Sequence, residues 1–152
     1  MAELKKGDSL PDFTLQDQNL VDFNSMTWLG EPVVVYFYPN DNTTICTAQA
    51  CSFRNRYDEF QNLGVRVIGI SHNSSKSHLK FAEKHKLPFP LLSDKNNEVR
   101  KLFGVPKSLL GMSAGRVTYV FYDKGKLIYV HNAFLKAKEH VQAALDSLKK
   151  IK

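Results

Sequence analysis

The two cysteines of this chain are the residues best suited to chemistry. Cys46 and Cys51 are the only cysteines among 152 residues, and they lie five positions apart. A structural disulfide would more naturally join distant parts of the chain, because longer closed loops restrict the unfolded state more. A zinc site needs further thiol or imidazole ligands at short spacing, and no histidine lies between Trp28 and Val65. The spacing therefore favours a redox pair, in which one thiol reacts and the other traps the product.

The residues around Cys46 predict a strand that runs into a helix. Residues 33–38 are apolar on both faces, which is typical of a strand buried between two layers of helix. Apolar side chains then recur at helical spacing, as on one face of an amphipathic helix; they are Cys46, Ala50, Phe53, Tyr57 and Phe60. Gly64 is expected to end this helix. Cys46 then falls in the first turn, where free N–H groups and the helix dipole favour an anion.

Strands and helices alternate along the rest of the chain. The predicted elements are a short edge strand at 12–16, strands at 65–70 and 91–92, helices at 75–86 and 96–103, and a hairpin of strands 117–122 and 127–130 before a closing helix at 137–148. This order predicts an α/β sandwich with a central mixed sheet flanked by helices, a thioredoxin-like fold with extra N-terminal and inserted elements. With 152 residues and 43% hydrophobic content, we expect a single domain over residues 1–152.

The composition argues against nucleic-acid, membrane and metal-binding functions. The net charge of +6 is scattered among the predicted helices, whereas a nucleic-acid binder clusters its basic residues. The one basic run, at 149–152, suits the end of a last helix, because cations are favourable there. The longest apolar stretch, at 33–38, is too short to cross a membrane. His78 and His85 share one helix face but lack a carboxylate or thiol companion, so we expect surface histidines, no metal and no cofactor.

The N-terminal residues and the cysteine count indicate a reducing compartment. Residues 1–6 lack the apolar run of a secretory signal. In a reducing compartment, a disulfide between two cysteines would be transient and catalytic. We expect the cytoplasm, because the chain begins with Met1 at a plausible domain start. A plastid or a nucleus is the alternative, after removal of a targeting segment.

Several sequence blocks resemble the peroxiredoxins. The blocks are Tyr36-Phe37-Tyr38-Pro39, the spacing of Pro39, Thr43 and Cys46, the run Cys51-Ser52-Phe53-Arg54, and the segments 69–71, 91–94 and 115–120. The five-residue cysteine separation resembles the Q-type (bacterioferritin comigratory protein) subfamily. Residues 104–111, followed by Gly115-Arg116, are most similar to its plastid-type members. The resemblance covers nearly the whole chain, from about residue 7 to residue 148.

This resemblance implies a thiol-dependent peroxidase that reduces hydrogen peroxide and organic hydroperoxides. Cys46 would become a sulfenic acid, which Cys51 would convert to an intramolecular disulfide. A dithiol protein of the thioredoxin type would reduce that disulfide by exchange. By the same resemblance, Arg116 on a neighbouring strand would hold the thiolate and donate to the peroxide, Thr43 would hydrogen-bond to the peroxide, and Pro39 would shield the thiolate from water. The expected oligomeric state is a monomer rather than a dimer.

Each of these residues also has a purely structural interpretation. Cys46 could be a buried structural thiol on the apolar stripe, and Thr43 could serve only as a helix cap. Arg116 could be a surface salt-bridge partner, although its strand is predicted to be central. Pro39 would end the strand under either interpretation.

The chain departs from the Q-type pattern immediately before Cys46. The family usually has Thr-Pro-Gly-Cys, whereas this chain has Thr43-Thr44-Ile45-Cys46. Loss of the proline removes a preset φ at the helix start, and isoleucine adopts a positive φ less readily than glycine. A second hypothesis is therefore a thiol–disulfide carrier or redox-sensing interaction protein with little peroxidase activity. The absence of Cys-x-x-Cys, the spacing of thioredoxin-like exchangers, disfavours that hypothesis.

Overall fold

A seven-stranded mixed β-sheet runs through the computed structural model, which describes residues 3–106, 115–122, 124–133 and 137–150. The strands are β1 Thr14–Gln16, β2 Asp22–Asn24, β3 Val33–Phe37, β4 Arg66–Ser71, β5 Leu91–Ser93, β6 Val117–Tyr122 and β7 Lys126–Asn132. The helices are α1 Thr44–Asn55, α2 Tyr57–Asn62, α3 Ser75–His85, α4 Glu98–Phe103 and α5 Ala137–Lys149, with a 3-10 turn at Ser25–Trp28.

The strand order β2-β1-β5-β4-β3-β6-β7 places β3 and β4 in the interior of the sheet. β3 is parallel to β4, and β4 is parallel to β5. On its other side β3 is antiparallel to β6, which forms a hairpin with β7. The parallel half and the hairpin half together make the α/β, thioredoxin-like fold that the sequence predicts, and this prediction is confirmed.

The burial of β3 explains why residues 33–38 show no polar side. Val34 and Tyr36 belong to a core cluster on the face covered by α1, α2, α3 and α5. Val35 and Phe37 belong to a second cluster, on the face covered by the 3-10 turn and α4. The strand is thus apolar on both faces because helices lie over both. After β3 the chain leaves the core, and a loop at residues 38–43 connects it to the start of α1.

The single helix predicted through residues 46–60 is in fact two helices. α1 ends at Asn55 and α2 begins at Tyr57, and Arg56 between them has a non-helical φ of −115° and ψ of 17°. The apolar spacing continues across this break, so Phe60 is buried in the same core cluster as the residues of α1. Gly64 follows α2 with a φ of 72°, which glycine adopts without strain.

One edge of the sheet differs from the prediction. The strand expected at the edge is β1, but it lies between β2 and β5. The edge strand is β2, which the sequence does not predict because its pairing with β1 defines it.

The opposite edge is formed by the predicted hairpin. Lys124 and Gly125 have φ values of 56° and 76°, the left-handed conformations that are typical of tight hairpin turns. β7 extends over seven residues, longer than the predicted 127–130. Asp123 of the predicted turn lies outside the described residues, as do 107–111 of the block used for the resemblance and 151–152 of the basic run.

The prediction of surface histidines is wrong for His78. Its side chain is fully buried on the inner face of α3 and contacts Asp41 and the Leu92 carbonyl oxygen. His85, at the end of the same helix, is partly exposed. Burial of a histidine depends on partners for both ring nitrogens, and helical periodicity carries no information about them.

Within the described ranges, no three His, Cys, Asp or Glu side chains are grouped so that they could hold a metal ion. The described helices include none with the length and apolarity needed to cross a membrane.

Candidate active site

Cys46 lies at the N-terminal end of α1, just after the chain leaves β3. It is the third residue of the helix, carries a free thiol and is only 1% exposed. The backbone hydrogen bond from Thr47 N–H to Thr43 C=O, at 2.9 Å, is the first of this helix. The N–H groups of residues 44–46 precede that bond, so they and the helix dipole favour negative charge around the sulfur.

Arg116 places a buried guanidinium directly against the Cys46 sulfur. The side chain is 1% exposed, and its Nη2 donates to Cys46 Sγ at 3.2 Å. Its Nη1 donates to the Oε1 atom of Gln49, which is also buried and lies one helical turn after Cys46. Arg116 immediately precedes β6 instead of lying within a strand, and β6 pairs with β3. The planar guanidinium therefore contacts two positions on one face of α1 at once.

A second guanidinium, that of Arg100 on α4, connects the two chain segments that carry Cys46 and Arg116. Its Nη1 donates to the Gly115 carbonyl at 2.8 Å, and its Nη2 donates to the Tyr38 carbonyl at 3.1 Å. The guanidinium carbon also lies 5.6 Å from the centre of the Phe37 ring. Burial lowers the pKa of Arg100, and the charge of Asp94 is the main opposing influence. Arg100 thus fixes the residue before Arg116 relative to the end of β3.

The other two predicted site residues lie in the loop between β3 and α1. Pro39 follows β3 closely and is half-buried. Thr43 occupies the N-cap position of α1 but makes no side-chain capping hydrogen bond. Its hydroxyl is exposed and donates to the Asn40 carbonyl at 3.3 Å. The interpretation of Thr43 as a side-chain cap is therefore wrong.

The replacement of Pro-Gly by Thr44-Ile45 causes no backbone strain in this loop. Both residues form the first turn of α1. Between β3 and Cys46, the non-glycine residue with a positive φ is Asn42, at 65°. Asparagine tolerates this conformation better than most residues. The expected penalty of a positive φ at isoleucine does not arise.

Cys51 lies in the same helix as Cys46 and is partly exposed with a free thiol. Five residues of α-helix rise ~7.5 Å and turn ~140°, which separates the two Cα atoms by roughly 8.6 Å. A disulfide requires a Cα separation below about 7 Å. The structure therefore brings Arg116 to Cys46 but does not bring Cys51 to it.

Gln49 and Arg100 were not identified as site residues from the sequence. Gln49 could have been found, because a polar residue three positions after Cys46 lies on the buried face of α1. Arg100 gave no such signal, since an arginine in a short helix normally faces solvent. Its role depends on contacts with residues 62 and 15 positions away.

Comparison with known proteins agrees with this geometry. Residues 6–130 match the AhpC/TSA family. The chain belongs to that family. A chloroplastic peroxiredoxin Q of Sedum lineare is 46% identical over 151 residues, which cover 99% of this chain and 81% of that protein. The crystal structure of peroxidoxin BcpB from Mycobacterium tuberculosis has a TM-score of 0.90 at 35% identity, with 99% of each chain covered. A bacterioferritin comigratory protein of Xanthomonas campestris gives a TM-score of 0.84 at 28% identity over 91% of each chain.

These relationships confirm the predicted resemblance to Q-type peroxiredoxins and the prediction of an enzyme. Peroxiredoxins are thiol peroxidases, and the family implies a peroxide as the substrate of this chain. The Sedum lineare relative is a chloroplast protein, so it gives no support to the expected cytoplasmic location.

Proposed function

We propose that Cys46 is the residue that attacks hydroperoxides and that Arg116 assists it. The observation that carries this proposal is the 3.2 Å contact between Arg116 Nη2 and Cys46 Sγ at a buried helix N-terminus. The thiolate attacks one peroxide oxygen, so that an S–O bond forms and the O–O bond breaks. The other oxygen leaves with the bonding electrons, takes up a proton and departs as water or an alcohol. Cys46 is oxidised to sulfenic acid as the peroxide is reduced.

The surrounding groups supply what the departing oxygen and the thiolate need. Arg116 donates toward the region where negative charge moves from sulfur to oxygen. Gln49 holds the other arm of the guanidinium, which fixes its plane. Thr43 offers a hydroxyl at the open end of the loop, where a peroxide arrives from solvent. In this proposal Pro39, half-buried just after β3, limits access of water to the sulfur.

Cys51 resolves the sulfenic acid in this proposal. Its thiol attacks the Cys46 sulfur, a disulfide forms, and the sulfenic oxygen leaves as water. A dithiol protein of the thioredoxin type then reduces the disulfide to the two thiols by exchange. Because the helical Cα separation exceeds the disulfide limit, the first turns of α1 unwind before the bond forms.

Unwinding of α1 is expected to be visible by amide hydrogen exchange. The disulfide form should exchange faster than the reduced form over residues 44–54, because local opening exposes those amides. Ala48 and Ser52 are small, so the opening disrupts few contacts there, whereas fully buried Phe53 holds the C-terminal part of the helix. The measurement is exchange followed by peptide mass spectrometry on both forms.

The matched control for unwinding is Cys51→Ser. Peroxide oxidises Cys46 in this variant, but no disulfide can form, so the protection of residues 44–54 should stay close to that of the reduced protein. Equal protection in the reduced and disulfide forms of the unmodified protein would show that α1 does not unwind or that Cys51 is not the resolving thiol.

Arg100→Lys is expected to slow the oxidation of Cys46 by about tenfold. One ammonium group cannot span the Gly115 and Tyr38 carbonyls as the guanidinium fork does. Displacement of site groups by about 1 Å can cost ~10²-fold in rate, so a tenfold loss corresponds to a smaller shift. The measurement is the second-order rate constant by stopped flow, with Lys101→Ala at the exposed neighbouring position as control. A rate constant equal to that of the control would show that Arg100 does not position the site.

Stopped-flow mixing with peroxide tests the proposed function itself. Rapid oxidation of Cys46 at micromolar peroxide is expected, whereas no oxidation at millimolar peroxide would favour the thiol–disulfide carrier or sensor. Hydrogen peroxide and an organic hydroperoxide should be compared, since alkyl peroxide reduction is attributed to the Xanthomonas campestris protein.

The location and assembly of the protein are part of the same proposal. A plastid fits better than the cytoplasm, because the Sedum lineare relative is chloroplastic. The proposed active form is a monomer, since both cysteines and Arg116 are supplied by one chain.

A further inference from the structure

Asp41 is a buried carboxylate in the middle of the loop that leads to Cys46. It lies between Pro39 and Thr43 in the chain and is 5% exposed. Its oxygens receive three side-chain contacts, from the Tyr38 hydroxyl at 2.7 Å, the Ser77 hydroxyl at 2.8 Å and His78 Nδ1 at 2.8 Å. The mechanism proposed above does not use this carboxylate.

Both ring nitrogens of His78 face atoms that accept hydrogen bonds. Nε2 lies 3.1 Å from the carbonyl oxygen of Leu92 on β5, which can only accept. Nδ1 lies 2.8 Å from Asp41 Oδ2, and an ionised carboxylate also only accepts. The Tyr38 hydroxyl lies 3.5 Å from Nδ1, but it donates its proton to Asp41 Oδ1 at 2.7 Å. A neutral imidazole carries one N–H, so it could satisfy only one of these contacts. With Asp41 ionised, both contacts are hydrogen bonds only when each ring nitrogen carries a proton.

The remaining contacts keep Asp41 ionised. Burial by itself would raise the pKa of Asp41, but the hydrogen bonds from His78, Tyr38 and Ser77 together with the charge of His78 bring it below its usual value. Tyr38 stays a donor, because burial and the nearby Asp41 raise the pKa of its phenol well above 10. The groups in hydrogen-bond contact with the pair, from the residue after β3, from α3 and from β5, are thus neutral: a phenol, a hydroxyl and a carbonyl.

The chain contains a natural comparison in His140 of α5, which is also fully buried. Its Nε2 lies 2.6 Å from the Ala133 carbonyl oxygen, but its Nδ1 lies 2.7 Å from the Thr118 hydroxyl. A hydroxyl can donate to Nδ1, so a single N–H on Nε2 satisfies this site. Burial lowers the pKa of His140 to about 4, which agrees with a neutral ring.

Hydrogen bonds near Asp41 also fix the backbone of the loop between β3 and α1. Asp41 N–H donates to Asn73 Oδ1 at 3.0 Å, and Asn73 Nδ2 donates to Asn40 Oδ1 at 2.7 Å. These bonds join the loop before Cys46 to the segment between β4 and α3. Asp41 and His78 are 37 positions apart in the chain, so their contact closes that connection from the α3 side.

We propose that His78 is a buried imidazolium ion paired with Asp41, and that the pair positions the loop from which α1 and Cys46 begin. The positioning part rests on the proposed function of Cys46, whereas the charge state of His78 does not. Both residues are positioning residues, since neither contacts the sulfur. Loss of one partner leaves the other charge buried and unpaired, which displaces the loop.

Long-range proton–nitrogen NMR of the reduced protein at neutral pH tests the charge state. The ring of His78 should show two protonated nitrogens, whereas His140 should show one protonated and one unprotonated nitrogen. Assignment uses the spectra of His78→Gln and His140→Gln. A single protonated nitrogen on His78 would overturn the ion pair, whatever the activity of the protein.

Stopped-flow oxidation of Cys46 in Asp41→Asn, His78→Gln and the double variant tests the positioning role. Each single variant should lose about tenfold in rate constant, comparable to a modest displacement of site groups. The double variant should lose much less than the product of the two single effects, because both changes remove one shared interaction. His85→Gln, on the same helix but partly exposed, is the control and should match the unmodified protein.

The outcomes separate this inference from the proposed function. A fully additive double variant, or Asp41→Asn with an unchanged rate constant, would overturn the positioning role. If the unmodified protein does not react with peroxide, the function of Cys46 fails while the NMR result still decides the ion pair. Should His78→Gln fail to fold, the ring of His78 is assigned in the unmodified protein by through-bond correlation to its own backbone, and that spectrum and the rate of Asp41→Asn still decide each part.

Discussion

Cys46→Ser is expected to abolish peroxide turnover and leave the fold intact. Serine fills nearly the same volume as cysteine in this buried first turn of α1. Its hydroxyl does not provide the thiolate that attacks the O–O bond, because only a thiolate is a strong nucleophile near neutral pH. The measurement is peroxide consumption with a thioredoxin-type reductant present, together with the circular dichroism spectrum as a check of folding.

Cys51→Ser is the matched control for this prediction. It leaves the attacking thiol in place, so the first oxidation of Cys46 should proceed at the rate of the unmodified protein. Continuous turnover should stop, because the sulfenic acid has no second thiol in the chain to form a disulfide. Retained turnover in Cys46→Ser would mean that a different group attacks the peroxide.

The parts of the fold that the sequence predicts are those with strong local patterns. β3 is recognisable because both of its faces are buried, and the β6–β7 hairpin because a glycine-containing turn separates two apolar runs. The break at Arg56 was missed, since an arginine with an unusual backbone conformation leaves no mark on the apolar spacing. β2 was missed because its pairing with β1, not its own sequence, defines it.

The site shows the same division between local pattern and distant contact. The position of Cys46 follows from a strand, a short loop and a helix that are contiguous in the chain. Arg100, Asp41 and His78 are charged or polar, so sequence patterns place such residues at the surface. They are buried because each finds partners far away in the chain, and pairing over such distances is invisible to periodicity.

The magnitude of thiolate formation shows why a second group must act on the peroxide. A free cysteine is already a few per cent thiolate at pH 7, so complete ionisation gains only about thirtyfold. Part of that gain is lost, because nucleophilicity falls with thiol pKa with a slope of ~0.4–0.5. One preorganised donor aimed at developing charge can contribute ~10²–10³ in rate. Arg116, whose Nη2 lies against the sulfur, is the side chain in the described structure placed to supply this contribution.

Arg116→Lys is therefore expected to lower the rate constant of Cys46 oxidation by at least about tenfold. This loss is smaller than the ~10²–10³-fold rate effect of removing one preorganised donor completely. The guanidinium holds Gln49 through Nη1 while Nη2 contacts Cys46, and a compact ammonium cannot present two donors in one plane. The measurement is stopped-flow oxidation over a series of peroxide concentrations.

Arg66→Lys provides the matched control for Arg116→Lys, because Arg66 begins β4 away from Cys46 and its guanidinium is partly exposed beside Glu31. The control should react at the rate of the unmodified protein, which separates the loss of a planar donor at the sulfur from a general effect of replacing arginine.

Gln49→Ala should lower the rate constant less than Arg116→Lys does, since it removes the support of the guanidinium but leaves Nη2 beside the sulfur. If Arg116→Lys reacts as fast as the control, the contact at the sulfur contributes nothing to the reaction, and the donor that acts on the peroxide must be another group.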